Sequence, residues 1–262
     1  MQRNLCRALV LAALFGAGCA SLPSPIGSVA RHRAEVLEDV YPCRRAAQPI
    51  MVDGRLDEAG WAGAPLISFL RPGTLLPPHA PTAGRMLYDD HCLYVAFQAT
   101  DEDVWATYTA RDSRLWEEDV LEIFLKTHPA LDPYYEFNFS PLGMVYDAFY
   151  AKRAAGGYTR WSKWNCAGLR VAASVQGTVG DWKDRDRGWT VEAAIPFADL
   201  PTLAGRAPRP GDVWQFNLAR YDYSVYQPEG VEMTASGPLT LVAPVTKPNF
   251  HEYENWRKMR FE

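Results

Sequence analysis

The chain has 262 residues, enough for one large domain or two small ones, and 48% of them are hydrophobic, enough for a substantial core. A net charge of -4, with no run of lysine or arginine, excludes nucleic acid as the main partner, because no basic field would draw in a polyanion. Aromatic residues are plentiful at 13%, and the five histidines are scattered, which argues against a histidine-based metal centre.

Taken in chain order, MQRNLCRALVLAALFGAGCAS opens with Arg3 and Arg7. An apolar run from Ala8 to Phe15 follows, then small residues before Cys19. This reads as an export signal over 1–18, too short to span a bilayer. GAGC resembles the bacterial lipobox, which would make Cys19 a lipidation site and hold the protein at the membrane by a lipid anchor alone. Ala20 after the cysteine resembles the sorting signal for the outer membrane. Residues 20–42, rich in Ser, Pro and Arg, read as a flexible tether, so 43–262 is the expected domain. Cys43, Cys92 and Cys166 remain in it, allowing at most one intramolecular disulfide and fitting no zinc spacing.

DEAGWAGA and PFADL each predict a single helical turn. Strand signals fill the rest. LYDDHCLYVAFQAT predicts two strands joined across Asp89, Asp90 and His91, and YYEFNFSPLGMVYDAFY a hairpin broken at Pro141 and Gly143. LRVAASVQGTV, RGWTVEAAIPF and DVWQFNLARYDYS supply further strands. Many short strands with few helices predict one all-β domain, an antiparallel β-sandwich of two packed sheets.

VLEIFL (120–125) raises the sharpest question. Leu121, Ile123 and Leu125 share one face; Val120, Glu122 and Phe124 share the other, so this strand should lie mid-sheet with both faces covered. A carboxylate there needs a cationic partner, such as Arg111 or Arg220, or a polar guest. No GxSxG elbow, phosphate-binding glycine loop, HExxH or dinucleotide fingerprint occurs. Glu117, Glu118 and Asp119 beside Glu122 are the only candidates for a hydrolytic carboxylate pair. Asp101, Glu102 and Asp103 have the oxygen-rich look of a calcium loop without its full spacing.

Six segments in order then carry a family resemblance: VDGRLDEAGW, MLYDDHCLYVAFQATDED, LWEEDVLEIFL, YYEFNFSPLGMVYD, DRGWTVEAAIPF and WQFNLAR. Together they resemble carbohydrate-binding module family 9, over roughly Cys43 to Phe261, and most of all its stand-alone bacterial members. The resemblance implies a sandwich of two antiparallel sheets that clamps a sugar between aromatic side chains, with acidic, basic and amide groups around it. On that pattern the stacking tryptophan falls on Trp116 and the hydrogen-bonding acid on Glu122. The polar ligands fall near Asn138, which replaces a basic residue, and Arg220, with Arg111 as a further basic candidate. The second aromatic wall falls on Phe250, with Tyr253 and Trp256 as alternatives in NFHEYENWRKMRF.

A flat aromatic with a polar rim suits a pyranose, whose faces carry C–H groups and whose edge carries hydroxyls. Binding of about micromolar to millimolar strength is expected. The expected function is non-catalytic binding of an oligo- or polysaccharide at the cell envelope, alongside a glycoside hydrolase or a glycan-uptake system. No cofactor is expected, although the resemblance admits a structural calcium. The alternative is a glycoside hydrolase using Glu122 and a neighbouring acid; a third reading, through Met144, Met233 and the histidines, is a haem-binding electron-transfer domain.

Overall fold

The computed structural model describes residues 39–74, 76–153, 158–238 and 249–262. The expected export signal, Cys19 and most of the expected tether lie outside the described residues. No described helix is long and apolar enough to cross a membrane.

The described strands form two sheets joined through one shared strand. Sheet A runs β7 (Val145–Tyr150), β6 (Tyr134–Phe139), β5 (Val120–Lys126), β10 (Val213–Tyr223), β12 (Arg257–Phe261) and β1 (Val40–Arg45), and β11 (Val231–Ala235) pairs with the distal half of β10. Sheet B continues from β1 through β3 (Thr82–Tyr88), β4 (Cys92–Thr100), β9 (Gly188–Pro196) and β8 (Arg170–Gln176), with β2 (Ile67–Ser68) beside β3. The expected β-sandwich is therefore present.

β1 departs from the expectation in two ways. It begins at Val40, so the folded region starts inside the segment expected to be tether. Its ladders to β12 and β3 are parallel, whereas the other ladders among the described residues are antiparallel. Pro42 cannot donate to a ladder. It is tolerated because Val40–Cys43 pairs on one side only, with β12, before the strand crosses to β3 at Arg44.

Side-chain alternation places the core. Leu121, Ile123 and Leu125 of β5 point between the sheets and share one cluster with Val95, Phe97, Val191 and Ile195 of β4 and β9. Each such side chain, fully withdrawn from water, stabilises the fold by about 1.5–3 kcal/mol. β5 lies between β6 and β10, in the interior of its sheet as its two apolar faces demanded. Asp89 closes the β3–β4 turn by accepting from the amides of His91 and Cys92 and from the Tyr94 hydroxyl. Cys43, Cys92 and Cys166 are buried free thiols, so the disulfide that their number allowed is not formed.

The outer face of sheet B is covered by the segment that contains VDGRLDEAGW. Its anchor is Glu192 of β9. The Glu192 carboxylate accepts from the backbone N–H groups of Asp53 and Gly54, at 3.0 and 2.9 Å, and from Trp61 Nε1 at 2.8 Å. Gly54 (φ +85°) makes the turn, and a Cβ there would come within 3.1 Å of the Ala173 carbonyl carbon. Trp61, Ile50 and Ala64 then pack on Leu87, Tyr94 and Ala96. The opening motif thus serves to close one outer face and leaves the other sheet to be covered differently.

Candidate functional site

The outer face of sheet A carries the polar groups. Register sets Glu122 of β5 directly opposite Asn138 of β6 and, on its other side, Ala219 of β10. One step along, Phe124 lies between Glu136 and Asn217. Glu122, Glu136, Asn138 and Asn217 therefore share one face, and all are buried.

Aromatic residues surround this row. Phe250, Trp256 and Tyr134 pack with Phe124, while Trp116, Tyr146 and Leu115 pack around Val120. Trp116 lies in a single 3-10 turn, Leu115–Glu117, and is half-buried, its ring edge-on to Tyr146 with centroids 5.2 Å apart. Tyr134 stacks on Tyr150 at 4.7 Å. His251 meets Phe124, Tyr134 and Tyr150 edge-on, and its Nδ1 lies 3.0 Å from the Tyr134 hydroxyl.

The hydrogen bonding of the row is incomplete. Glu136 accepts from the Tyr150 hydroxyl at 2.7 Å and from Asn138 Nδ2 at 3.1 Å. Glu122 Oε2, Asn138 Oδ1 and Asn217 Nδ2 are buried and have no hydrogen-bond partner. Burial, and after it the neighbouring Glu136, pushes the Glu122 carboxyl well above the usual carboxylate range. Buried polar atoms are nearly always paired, and each orphan costs about 1–3 kcal/mol. Three such atoms lie together on this one face.

The residues expected at the site divide into two groups. Trp116, Glu122, Asn138 and Phe250 are brought to this one face. Phe250 is not an open wall, however: it is buried and contacts Phe124 and Tyr221. Trp256 is likewise buried, donating from Nε1 to the Phe250 carbonyl, whereas Tyr253 is half-buried between Lys126 and Arg153, which lie over its ring.

Arg220 and Arg111 belong elsewhere. Arg220 pairs in register with Leu121, so its side chain enters the interior between the sheets. There it bonds Asp101 at 2.8 Å, Thr82 Oγ1 at 2.9 Å and the Thr100 carbonyl at 2.8 Å, and it pairs with Asp222 at 3.3 Å. Arg111 reaches Asp147, which shares the inward phase of Phe137, and Asn165. Neither arginine neutralises Glu122, and neither lines the polar row.

The acids proposed for hydrolysis are also spent. Glu118 accepts from the amides of Thr107 and Tyr108, Asp119 from those of Trp105 and Tyr223, and Glu117 from the Tyr108 hydroxyl. The acids of the supposed calcium loop are used similarly: Asp101 by Arg220, Glu102 by Arg185 and Asp103 by the Val225 amide. Asp101, Asp119 and Asp222 do converge, and the guanidinium of Arg220 acts on all of them. Among the outlying tryptophans, Trp164 packs on Tyr135 and Phe149, and Trp161 on Tyr150. Exposed Trp182 lines a separate cavity of about 370 Å³ with Trp105, Tyr223 and Val225.

Sequence reasoning missed Glu136 and Asn217, although the signal was present. Glu136 keeps phase with Asn138 in YYEFNF, and Asn217 keeps phase with Ala219 and Tyr221 in WQFNLARY.

The fold and this face define a β-sandwich with one outer surface sealed by its own chain and the other built of aromatic residues over a polar floor. The chain belongs to the carbohydrate family 9 binding domain-like family, whose profile matches residues 52–236. Among solved structures it is similar to a putative carbohydrate-binding protein from Bacteroides uniformis (13% identity, TM-score 0.63, 84% of this chain and 97% of that one). It is also similar to a family 9 carbohydrate-binding module from Caldicellulosiruptor kristjanssonii solved with cellotriose (12% identity, TM-score 0.53, 84% and 93% covered). The same organism's module solved with glucose aligns at 13% identity and TM-score 0.51, with 84% and 95% covered. No curated protein sequence matches the chain.

Proposed function

We propose that the protein is a non-catalytic carbohydrate-binding module that takes a sugar on the outer face of sheet A. One observation carries this reading: buried Glu122 Oε2, Asn138 Oδ1 and Asn217 Nδ2 lack partners beneath an aromatic surround. Sugar hydroxyls both donate and accept, so one ring edge can satisfy all three atoms while its C–H face meets an aromatic ring. Family membership supports the reading, as do the cellotriose and glucose held by the Caldicellulosiruptor modules. Trp116 is the candidate stacking ring, with Tyr146 fixing its orientation.

The same proposal places the domain at the cell envelope, held through a lipid on Cys19 and serving polysaccharide breakdown or uptake. Partition of the native chain into detergent, lost in Cys19→Ala, tests that part. The binding part is tested by titrating the chain against a panel of neutral and amine-bearing oligosaccharides. Saturable binding of about micromolar to millimolar strength, weakened at least about tenfold by Trp116→Ala, is expected. Absence of binding, or binding indifferent to that substitution, contradicts it. Release of reducing sugar abolished by Glu122→Gln would instead restore a hydrolase.

A further inference from the structure

The donors and acceptors of the polar row are out of balance, and the imbalance has a sign. Asn138 Nδ2 already donates to Glu136 Oε1, and the Tyr150 hydroxyl donates to Glu136 Oε2. The Tyr134 hydroxyl and His251 Nδ1 are engaged with each other. What remains beside Glu122 is acceptance: Glu122 Oε2 and Asn138 Oδ1 lie on residues directly opposite each other and receive nothing. A spare donor among the described residues, Asn217 Nδ2, lies across β5 on β10.

Charge is out of balance as well. Glu122 and Glu136 are both buried on this face. The described cations on nearby elements are committed elsewhere. Lys126 donates to the Pro129 carbonyl, Arg153 grips Glu254, and Arg220 and Arg111 are held by Asp101 and Asp147. His251 Nε2 lies 4.0 Å from Glu136, and the remaining titratable groups around the row are Tyr134, Tyr146, Tyr150, Tyr221 and Tyr223. Burial and Glu136 both oppose ionisation of Glu122, and no described cation offsets them.

A neutral hydroxyl fills one acceptor but brings lone pairs of its own that need donors. A protonated amine brings three donors and no acceptor, and its charge favours the ionised Glu122 that burial and Glu136 otherwise oppose. Given the sugar-binding reading on which this rests, we propose that the face selects an amino sugar, with its ammonium between Glu122 Oε2 and Asn138 Oδ1 and a ring hydroxyl on Asn217 Nδ2. N-acetylation would replace the ammonium by an amide with a single N–H and an added acceptor, and a uronic acid would set a third carboxylate against the pair.

The test is calorimetric titration of the mature chain near pH 6, where an amine is about fully protonated. The ligands are the disaccharide of glucosamine, its N-acetylated counterpart and cellobiose. The amine-bearing disaccharide should bind about tenfold or more tighter than either of the others, as a charge-assisted contact in a buried site implies. In Glu122→Gln, checked for folding by its melting transition, that ratio should fall below about threefold, and Glu136→Gln should lower it independently. Neutral sugar bound as well as the amine, or a ratio untouched by both substitutions, overturns the selectivity and leaves the binding function standing. Failure of every saccharide to bind overturns both.

Discussion

Two glutamates, one on each sheet, sit on equivalent outward-facing positions and have opposite surroundings. Glu192 on sheet B is met by two backbone amides and an indole N–H, all from the segment that covers it. Glu122 on sheet A is also buried, yet its Oε2 meets no donor and its nearest charged neighbour is another acid. A buried carboxylate that serves the fold is surrounded by donors from its own chain; one left unsatisfied costs stability and persists where a guest completes it.

The interior ion cluster gives the largest expected effect. Arg220→Met leaves Asp101, Asp119 and Asp222 without their shared cation and should cost about 3–5 kcal/mol in urea unfolding. Such a loss, with any surviving fold keeping its glycan affinity, would keep Arg220 on the structural side. Glu192→Ala comes next. It strands the Trp61 indole and two amides and should cost about 2–4 kcal/mol, with the loop over sheet B opening first to hydrogen exchange. A negligible cost would break the contrast from the structural end.

The pH dependence follows from burial. Asp147 and Asp222 are pushed up to about 6, chiefly by desolvation, and burial also raises Asp119 and Glu122 well above the usual carboxylate range. Folding therefore takes up protons between about pH 4, where these acids titrate in the unfolded chain, and their raised folded values. Stability should increase by on the order of 1–3 kcal/mol as pH falls from about 7 to about 5. It should then decline as Asp89 and Glu254, whose hydrogen bonds hold them below the usual range, become protonated. Melting temperatures across that range check the sign.

The smallest effect is the most telling for the site. Glu122→Gln removes a carboxyl whose ionisation burial and Glu136 oppose, so it should change stability by no more than about 1 kcal/mol, and in the stabilising direction near pH 7. A large destabilisation would make Glu122 a second Glu192.

Alternation made much of this legible. It placed Leu121, Ile123 and Leu125 inward and Glu122 outward, and it located the β3–β4 and β6–β7 hairpins. The same rule already assigned Arg220 to the interior, because in WQFNLAR it keeps phase with Trp214, Phe216 and Leu218, but the family pattern pointed the other way. Other features could not be read locally. The Arg111–Asp147 pair joins residues 36 apart, and the burial of Phe250 depends on where the C-terminal segment settles on sheet A. Glu192 and Glu122 look alike along their strands; only the tertiary placement of Trp61 and Gly54 distinguishes them.

The distinction can be read in one nuclear magnetic resonance titration of the isotope-labelled chain with a bound saccharide. The side-chain amides of Asn138 and Asn217 and the indole N–H of Trp116 should move with ligand, while the Trp61 indole N–H, already bonded to Glu192, stays in place. Movement at Trp61 with none at Asn138 and Asn217 would put the sugar on the wrong sheet and contradict the account.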